Sequence, residues 1–366
     1  MSDGRRHNRH TLVKFFPLDV PRRLLSSKEH FMRNLGLALA SRGLAPAFLN
    51  DIRATYFGRP MHVGMARQWV EGKTLQQRVF GVQVVDLLEI FASFGAALAR
   101  FHLLGEDADF RRQVIEGHFS KPTIPVLLSR LEEWRRGAVI SLVSSPLRDC
   151  PRWRRLYDDA IEAASDVVDV VGATAEKIQT AEALRVVFGH NDCSPSNVVV
   201  SSSSMEIPST SSASSNDVVY LIDEEWAAPN IAVYDFANVV MTMTLLRLRE
   251  QAAFSDSDLR LVIKAMAAAY IARMKASSSD EGAFDHEAPD SIVDAFVNDI
   301  WAFVPVAALT HCFSNLIHAS KEGQLTTRVP VDDALFDERG TFNWLRHATD
   351  HLLVLKQYRH DSKNLV

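Results

Sequence analysis

Hydrophobic and polar positions change their period several times along the chain, and each change marks an element. His10–Phe16 is an apolar, β-prone run with Lys14 at its centre, which predicts a strand. After Pro17 and Pro21, Ser26-Ser27-Lys28-Glu29 predicts a helix start, with Ser26 as N-cap and Glu29 closing a capping box. That helix would bury Phe31, Leu35 and Leu39 on one face and end near Gly43. A second strand is predicted over 60–67, broken at Gln68-Trp69-Val70-Glu71-Gly72. From Val84 to His102, Leu87, Leu88, Phe91, Phe94, Leu98 and Phe101 recur every three or four residues, as on the buried face of a helix.

The stretch 105–183 is charged, mostly helical in pattern and interrupted by prolines. Short strands are predicted over 184–188, 198–200 and 218–222. Between the last two lies the serine-rich tract 201–217, which has too little apolar surface to offset ordering entropy and reads as a flexible insertion. From Phe236 to about Tyr358 the pattern is helical again. A small mixed lobe followed by a large helical one is an α+β arrangement. We place the boundary so that 1–72 forms the N-terminal lobe and hinge and 73–366 the C-terminal lobe.

Composition narrows the function classes. With 366 residues the chain has room for two lobes around a sizeable core. A net charge of −5 argues against a protein whose task is to grip nucleic acid, because phosphate neutralisation needs clustered Lys and Arg. No uninterrupted apolar run approaches the roughly 20 residues that span a bilayer, so no membrane insertion is expected. Three widely spaced cysteines make neither a disulfide framework nor a zinc site. Together these features point to a soluble, cytoplasmic protein.

The candidate chemistry is concentrated in two segments. Gly189-His190-Asn191-Asp192 leads to Asn197, and Leu221-Ile222-Asp223-Glu224-Glu225-Trp226 follows across the serine tract. Phosphoryl transfer needs a carboxylate to orient the attacking hydroxyl and oxygen ligands for magnesium on the phosphates. An Asp-x4-Asn loop and a second Asp at a strand end can supply all of them. Each half alone is equally well read as turn and cap residues. The conjunction, with Asp235-Phe236-Ala237-Asn238 downstream, favours chemistry.

These motifs resemble those of the choline/ethanolamine kinases, within the aminoglycoside-phosphotransferase-like, protein-kinase-like superfamily. The family's His-Asn-Asp-x4-Asn is matched by His190, Asn191, Asp192 and Asn197, and its Ile-Asp-aromatic-Glu-aromatic by Ile222–Trp226. Its Phe-Asp-x-(Ala/Gly)-Asn is matched by Tyr234–Asn238, and its Ala-x-Phe-His helix end by Ala99–His102. The resemblance implies a bilobal protein-kinase-like fold and a kinase that uses ATP and Mg²⁺ on a small amino alcohol such as choline or ethanolamine.

It further implies that Asp192 is the catalytic base, with His190 beside it buttressing the loop. Asn197 and Asp223 would be the Mg²⁺ ligands. Lys14 and Glu29 would be the phosphate-contacting lysine and its ion-pair partner, and Gln68, Trp69 and Val70 the adenine-facing hinge. Asp235 is expected to hold the catalytic-loop backbone.

The chain departs from the pattern in three ways. Only 13 residues precede Lys14, so the phosphate-covering loop is not evident and the nucleotide-binding lobe reads as incomplete. The family's paired late-helix tryptophans align with Ser314 and Ile317, and its glutamate after the last Asn aligns with Thr242. The aromatic expected after Asp223 is Glu224. Trp226, Trp301, Phe303 and Trp344 are candidates to rebuild an aromatic cage from elsewhere, or else core residues. Two other readings stay open: a pseudokinase that binds or regulates, and a kinase of an aminoglycoside-like sugar or thiosugar. Homodimerisation stays open as well.

Overall fold

The structure, a computed structural model, describes residues 11–15, 22–46, 48–56, 59–68, 70–80, 83–116, 118–119, 127–144, 151, 154–162, 180–201, 218–249, 254–278, 289–325 and 341–363. It is an α+β fold with a small strand-bearing lobe and a larger helical one.

The small lobe is built from β1 (Thr11–Phe15), α1 (Arg22–Ser41), β2 (Phe48–Tyr56) and β3 (Arg59–Gln68). The three strands form one antiparallel sheet in the order β1-β3-β2, with Lys14 opposite Met65. Phe31, Leu35 and Leu39 are buried on the inner face of α1, as their four-residue spacing predicts. The helix begins at Arg22, however, so Ser26 lies inside it and is not its N-cap. At the other end Gly43 adopts φ +64°, Leu44 N–H donates to Leu39 C=O (2.9 Å) and Gly43 N–H to Ala40 C=O (3.1 Å). That pair of bonds closes the helix on a left-handed residue that glycine adopts without a Cβ penalty.

After β3 the chain enters the helical lobe through β4 (Lys73–Thr74) and a short helix, α2 (Leu75–Val79). Thr74 and Gln77 form a capping box there. The helix predicted over 84–102 is α3 (Val84–His102), with Leu87, Phe91, Phe94, Leu98 and Phe101 buried. Burying each such side chain contributes about 1.5–3 kcal/mol. It packs against a later helix so closely that a Cβ at Gly95 would strike the Met266 carbonyl. Then come α4 (Leu127–Ser144), β5 (Val186–Gly189), β6 (Val198–Ser201), β7 (Val218–Leu221) and β8 (Ala228–Ile231). The lobe is completed by α5 (Ala232–Leu248), α6 (Asp256–Ser278), α7 (Asp290–Leu325) and α8 (Thr341–Lys363).

Two small sheets present the candidate chemistry. β6 pairs with β7 across the serine tract, Val198 opposite Leu221, and β4 adds to the other edge of β6. β5 pairs with β8, Val187 opposite Asn230. Residues 202–217 lie outside the described residues. Helix α7 runs through the middle of the lobe, burying Phe296, Ile300, Phe303, Ala307, Phe313 and Leu316. Its stretch Asp290–Ala319 is long and apolar enough to cross a membrane by length and composition, its apolar residues being interspersed with polar ones. Most of that window (61%) is buried inside the lobe, as expected of a core helix.

Candidate active site

The loop from Gly189 to Asn197 is held from behind by an acid at the start of α5. Asp235 is buried, and its Oδ2 accepts from His190 N–H (2.7 Å) while its Oδ1 accepts from Asn191 N–H (2.7 Å). The same Oδ2 lies 2.9 Å from His102 Nε2, and His102 Nδ1 lies 2.9 Å from the Tyr270 hydroxyl. Because a carboxylate oxygen can only accept, the His102 Nε2–H donates to Oδ2, and Nδ1 faces the Tyr270 hydroxyl. Burial pushes the Tyr270 hydroxyl far up, so it keeps the proton it donates.

Asn191 makes the turn itself. It sits at φ +63°, a left-handed conformation that Asn tolerates better than most residues. Its side-chain amide donates to the carbonyls of Trp226 (3.0 Å) and Ala228 (3.2 Å), and its Oδ1 accepts from Asn230 (2.6 Å). Its own carbonyl accepts from Asn238 (3.3 Å). Every polar group of this residue is thus spoken for, which fixes the backbone on either side of it.

Asp192 projects from this frame. The Asn197 side-chain amide donates to its carbonyl (2.9 Å) and to its Oδ2 (3.1 Å). Burial pushes the Asp192 carboxyl above its ordinary value and nearby Asp223 adds to the rise; His311, His190 and the Asn197 amide partly offset both. His190 is buried and its Nε2 donates to the Ile222 carbonyl (3.0 Å), tying the loop to the residue just before Asp223. Asp223 is the second described non-glycine residue with positive φ (+62°), and the one-turn helix Glu224–Trp226 follows it.

With its amide nitrogen engaged, Asn197 has its Oδ1 left as a donor for a cation. A carboxylate and an amide oxygen suit Mg²⁺, which takes few protein oxygens and keeps waters or phosphate oxygens. Among the described residues no three His, Cys, Asp or Glu side chains cluster as a metal cage. Cys193 is no nucleophile: burial, then Asp235 and Asp192, hold its thiol well above the ordinary range.

Asp192 and Asp223 open onto a cavity of about 310 Å³. Its walls include Trp134 from α4, Trp226, Tyr234, Glu225 and, from α7, His311 and Ser314. Trp134 and Trp226 meet edge to face, with ring centres 6.0 Å apart and planes at 86°. His311 Nε2 donates to Asn238 Oδ1 (3.1 Å), since that amide's nitrogen is already a donor to Asn191. Burial pushes the His311 imidazole below its ordinary value, against the pull of Asp192.

The choline/ethanolamine kinase family model matches residues 39–355. The chain belongs to the choline/ethanolamine kinase family. No curated protein matches it. Solved structures that share its fold include the following two. The choline kinase of Cryptosporidium parvum Iowa II is 14% identical with a TM-score of 0.61, covering 97% of this chain and 83% of its own. The ethanolamine kinase of Plasmodium vivax is 11% identical with a TM-score of 0.59, covering 95% and 75%. This family member is a small-molecule kinase, a phosphotransferase with a bilobal protein-kinase-like fold.

The sequence-predicted residues are brought together in part. Asp192, Asn197, Asp223 and His190 converge at one end of the β5 and β7 strands, and Asp235 holds the loop backbone as expected. Lys14 sits mid-strand in β1 and Glu29 inside α1, and their side chains lie outside the described residues, as does Trp69. Gln68 ends β3 exposed, and half-buried Val70 follows the gap. Of the four candidates for a rebuilt cage, Trp226 lines the cavity. Phe303 is core, and Trp301 instead lies under the Arg260 guanidinium (4.6 Å). The side chain of Trp344 lies outside the described residues. Trp134 and Tyr234 were not singled out by the sequence. Trp134 comes from a helix whose charged pattern gives no hint of a pocket, and Tyr234 occupies a motif position that reads as framework.

Proposed function

We propose that this kinase transfers the γ-phosphoryl group of ATP, with Mg²⁺, to the primary hydroxyl of a cationic amino alcohol, choline ahead of ethanolamine. The observation that carries the substrate class is the cavity wall. Two indoles and a phenol stand beside Asp192, Asp223 and Glu225 in one space of about 310 Å³. Aromatic faces attract an alkylated ammonium, and carboxylates add the compensating charge. A quaternary ammonium cannot donate hydrogen bonds, so aromatic walls suit choline better than the primary ammonium of ethanolamine. Trp134, Trp226 and Tyr234 would then do the work for which the family's late-helix tryptophans are absent here.

Asp192 is the proposed base. Its Oδ2 is aligned by Asn197 and its raised pKa brings it closer to the operating range, so it can orient the hydroxyl and accept its proton. Asn197 Oδ1 and the Asp223 carboxylate would hold Mg²⁺. When bound there, the ion would neutralise charge on the transferred phosphoryl group, which is where such enzymes obtain most of their rate. Lys14 and Glu29, and the hinge at 68–70, are proposed to hold the nucleotide.

Replacing Trp134 and Trp226 singly by Leu tests the substrate. Each should raise the KM for choline about 3- to 30-fold, the worth of one cation–π contact, with a smaller effect for ethanolamine. An unchanged choline KM in both variants would remove the cage.

A further inference from the structure

Glu224 stands directly after Asp223, where the family pattern carries an aromatic side chain. It is 2% exposed, and its Oε1 meets a guanidinium nitrogen of Arg67, itself 5% exposed, next to the last residue of β3. The same Arg67 Nη2 lies 2.8 Å from where a Cβ on Gly36 would sit, so α1 makes room for the guanidinium with a glycine. Nearby, Leu221 N–H donates to the Leu44 carbonyl (3.1 Å), bonding the end of β7 to the turn after α1. A buried charge survives only when paired, so Arg67 and Glu224 must move together. Both belong to segments the catalytic geometry depends on: one to the strand entering the hinge, the other to the turn that aims Asp223.

We propose that Arg67 is a positioning residue, whose buried ion pair with Glu224 holds the Asp223 turn toward the cavity and couples it to α1 and β3 of the small lobe. The proposal rests on Asp223 as a Mg²⁺ ligand. Asp223 occupies a left-handed backbone region that side-chain-bearing residues visit rarely, and such a conformation persists only where its surroundings over-determine it. On one side His190 fixes the preceding carbonyl at Ile222, and on the other the Trp226 carbonyl is held by Asn191. The ion pair fixes the residue between and, together with the Leu221–Leu44 bond, brings in the small lobe. A polar latch thus replaces the apolar contact that an aromatic residue would make with that lobe.

The test compares Glu224→Gln, Arg67→Met and the double variant R67M/E224F, which exchanges the ion pair for an apolar one. The readout is the Mg²⁺ concentration giving half of the ATP-induced thermal shift, which does not depend on turnover. Each single variant should need at least tenfold more Mg²⁺ and lose kcat in proportion, with the choline KM changed less than twofold. The double variant should return to within threefold of the wild type. Glu224→Gln keeps the side-chain shape and serves if Arg67→Met does not fold. A wild-type Mg²⁺ dependence in Glu224→Gln overturns the proposal. So does a folded double variant that still needs tenfold more Mg²⁺. Asp223→Asn, run in parallel, separates the two claims. If it too keeps a wild-type Mg²⁺ dependence, the ligand assignment fails and the latch falls with it. If it alone shifts, only the latch fails.

Discussion

The two sides of the catalytic loop are built on opposite principles. Behind it, Asp235, His102, Tyr270, Asn191, Asn230 and Asn238 form a network in which donors and acceptors are matched and nearly all atoms are buried. In front, Asp192 and Asp223 face a cavity, Asp192 with its pKa pushed up by burial and by its neighbour's charge. The back makes its bonds within the protein, whereas the front turns Asp192 and Asp223 toward the cavity. The rear network stabilises the fold and the front is a cost that binding offsets. Mutations on the two sides should therefore separate stability from activity.

The largest effect is expected from Asp235→Ala. It strips the acceptor from two backbone N–H groups and His102, and each buried donor left unpaired costs about 1–3 kcal/mol. We expect a loss of at least about 3 kcal/mol by urea unfolding, together with activity. A loss below about 1 kcal/mol would show that the network is not what holds the loop.

Asp192→Asn should do the reverse. Removing the base should lower kcat about 10²- to 10⁴-fold. The folded pKa of Asp192 lies above its unfolded value, so the folded chain binds its proton more tightly. That contribution favours the fold at low pH and is lost as pH rises through the folded pKa. At pH 7 the ionised carboxylate is therefore a cost, and the neutral amide should leave the melting temperature unchanged or higher. A fall of several degrees would place Asp192 with the rear network.

Tyr270→Phe probes the outer edge of that network and should cost about 1 kcal/mol, the loss of one bond to His102, with kcat reduced severalfold at most. A stability loss as large as that of Asp235→Ala would move the centre of the network to Tyr270.

The same contrast explains what the sequence disclosed. Local patterns were legible: the three-to-four spacing of Leu87 to Phe101 gave α3, and the Asp192, Asn197, Asp223 and Asp235 motifs lie on short segments whose spacing encodes their roles. The strand β2 was not predicted, because Asn50, Asp51 and Arg53 break its alternation and two register shifts break its pairing. Neither was β8, which carries Pro229, a residue that cannot donate to a ladder and here sits opposite Phe188. Ser26 imitated a helix start because Ser and Glu three apart look alike at a cap and within a turn. The cavity walls were hidden for a different reason. Trp134 and His311 lie 177 positions apart in sequence, on α4 and α7, and only the packing of those helices brings them to one space. Glu224 was visible as a departure, but its partner Arg67 is 157 residues away.

The most direct measurement is product formation. Purified protein with Mg·ATP and choline, followed by ³¹P NMR, should show a phosphomonoester resonance growing with ADP. Its growth should slow at least about a hundredfold in Asp192→Asn, and it should be absent when choline is omitted. A folded wild-type protein that binds Mg·ATP yet forms no phosphomonoester from choline or ethanolamine would contradict the account.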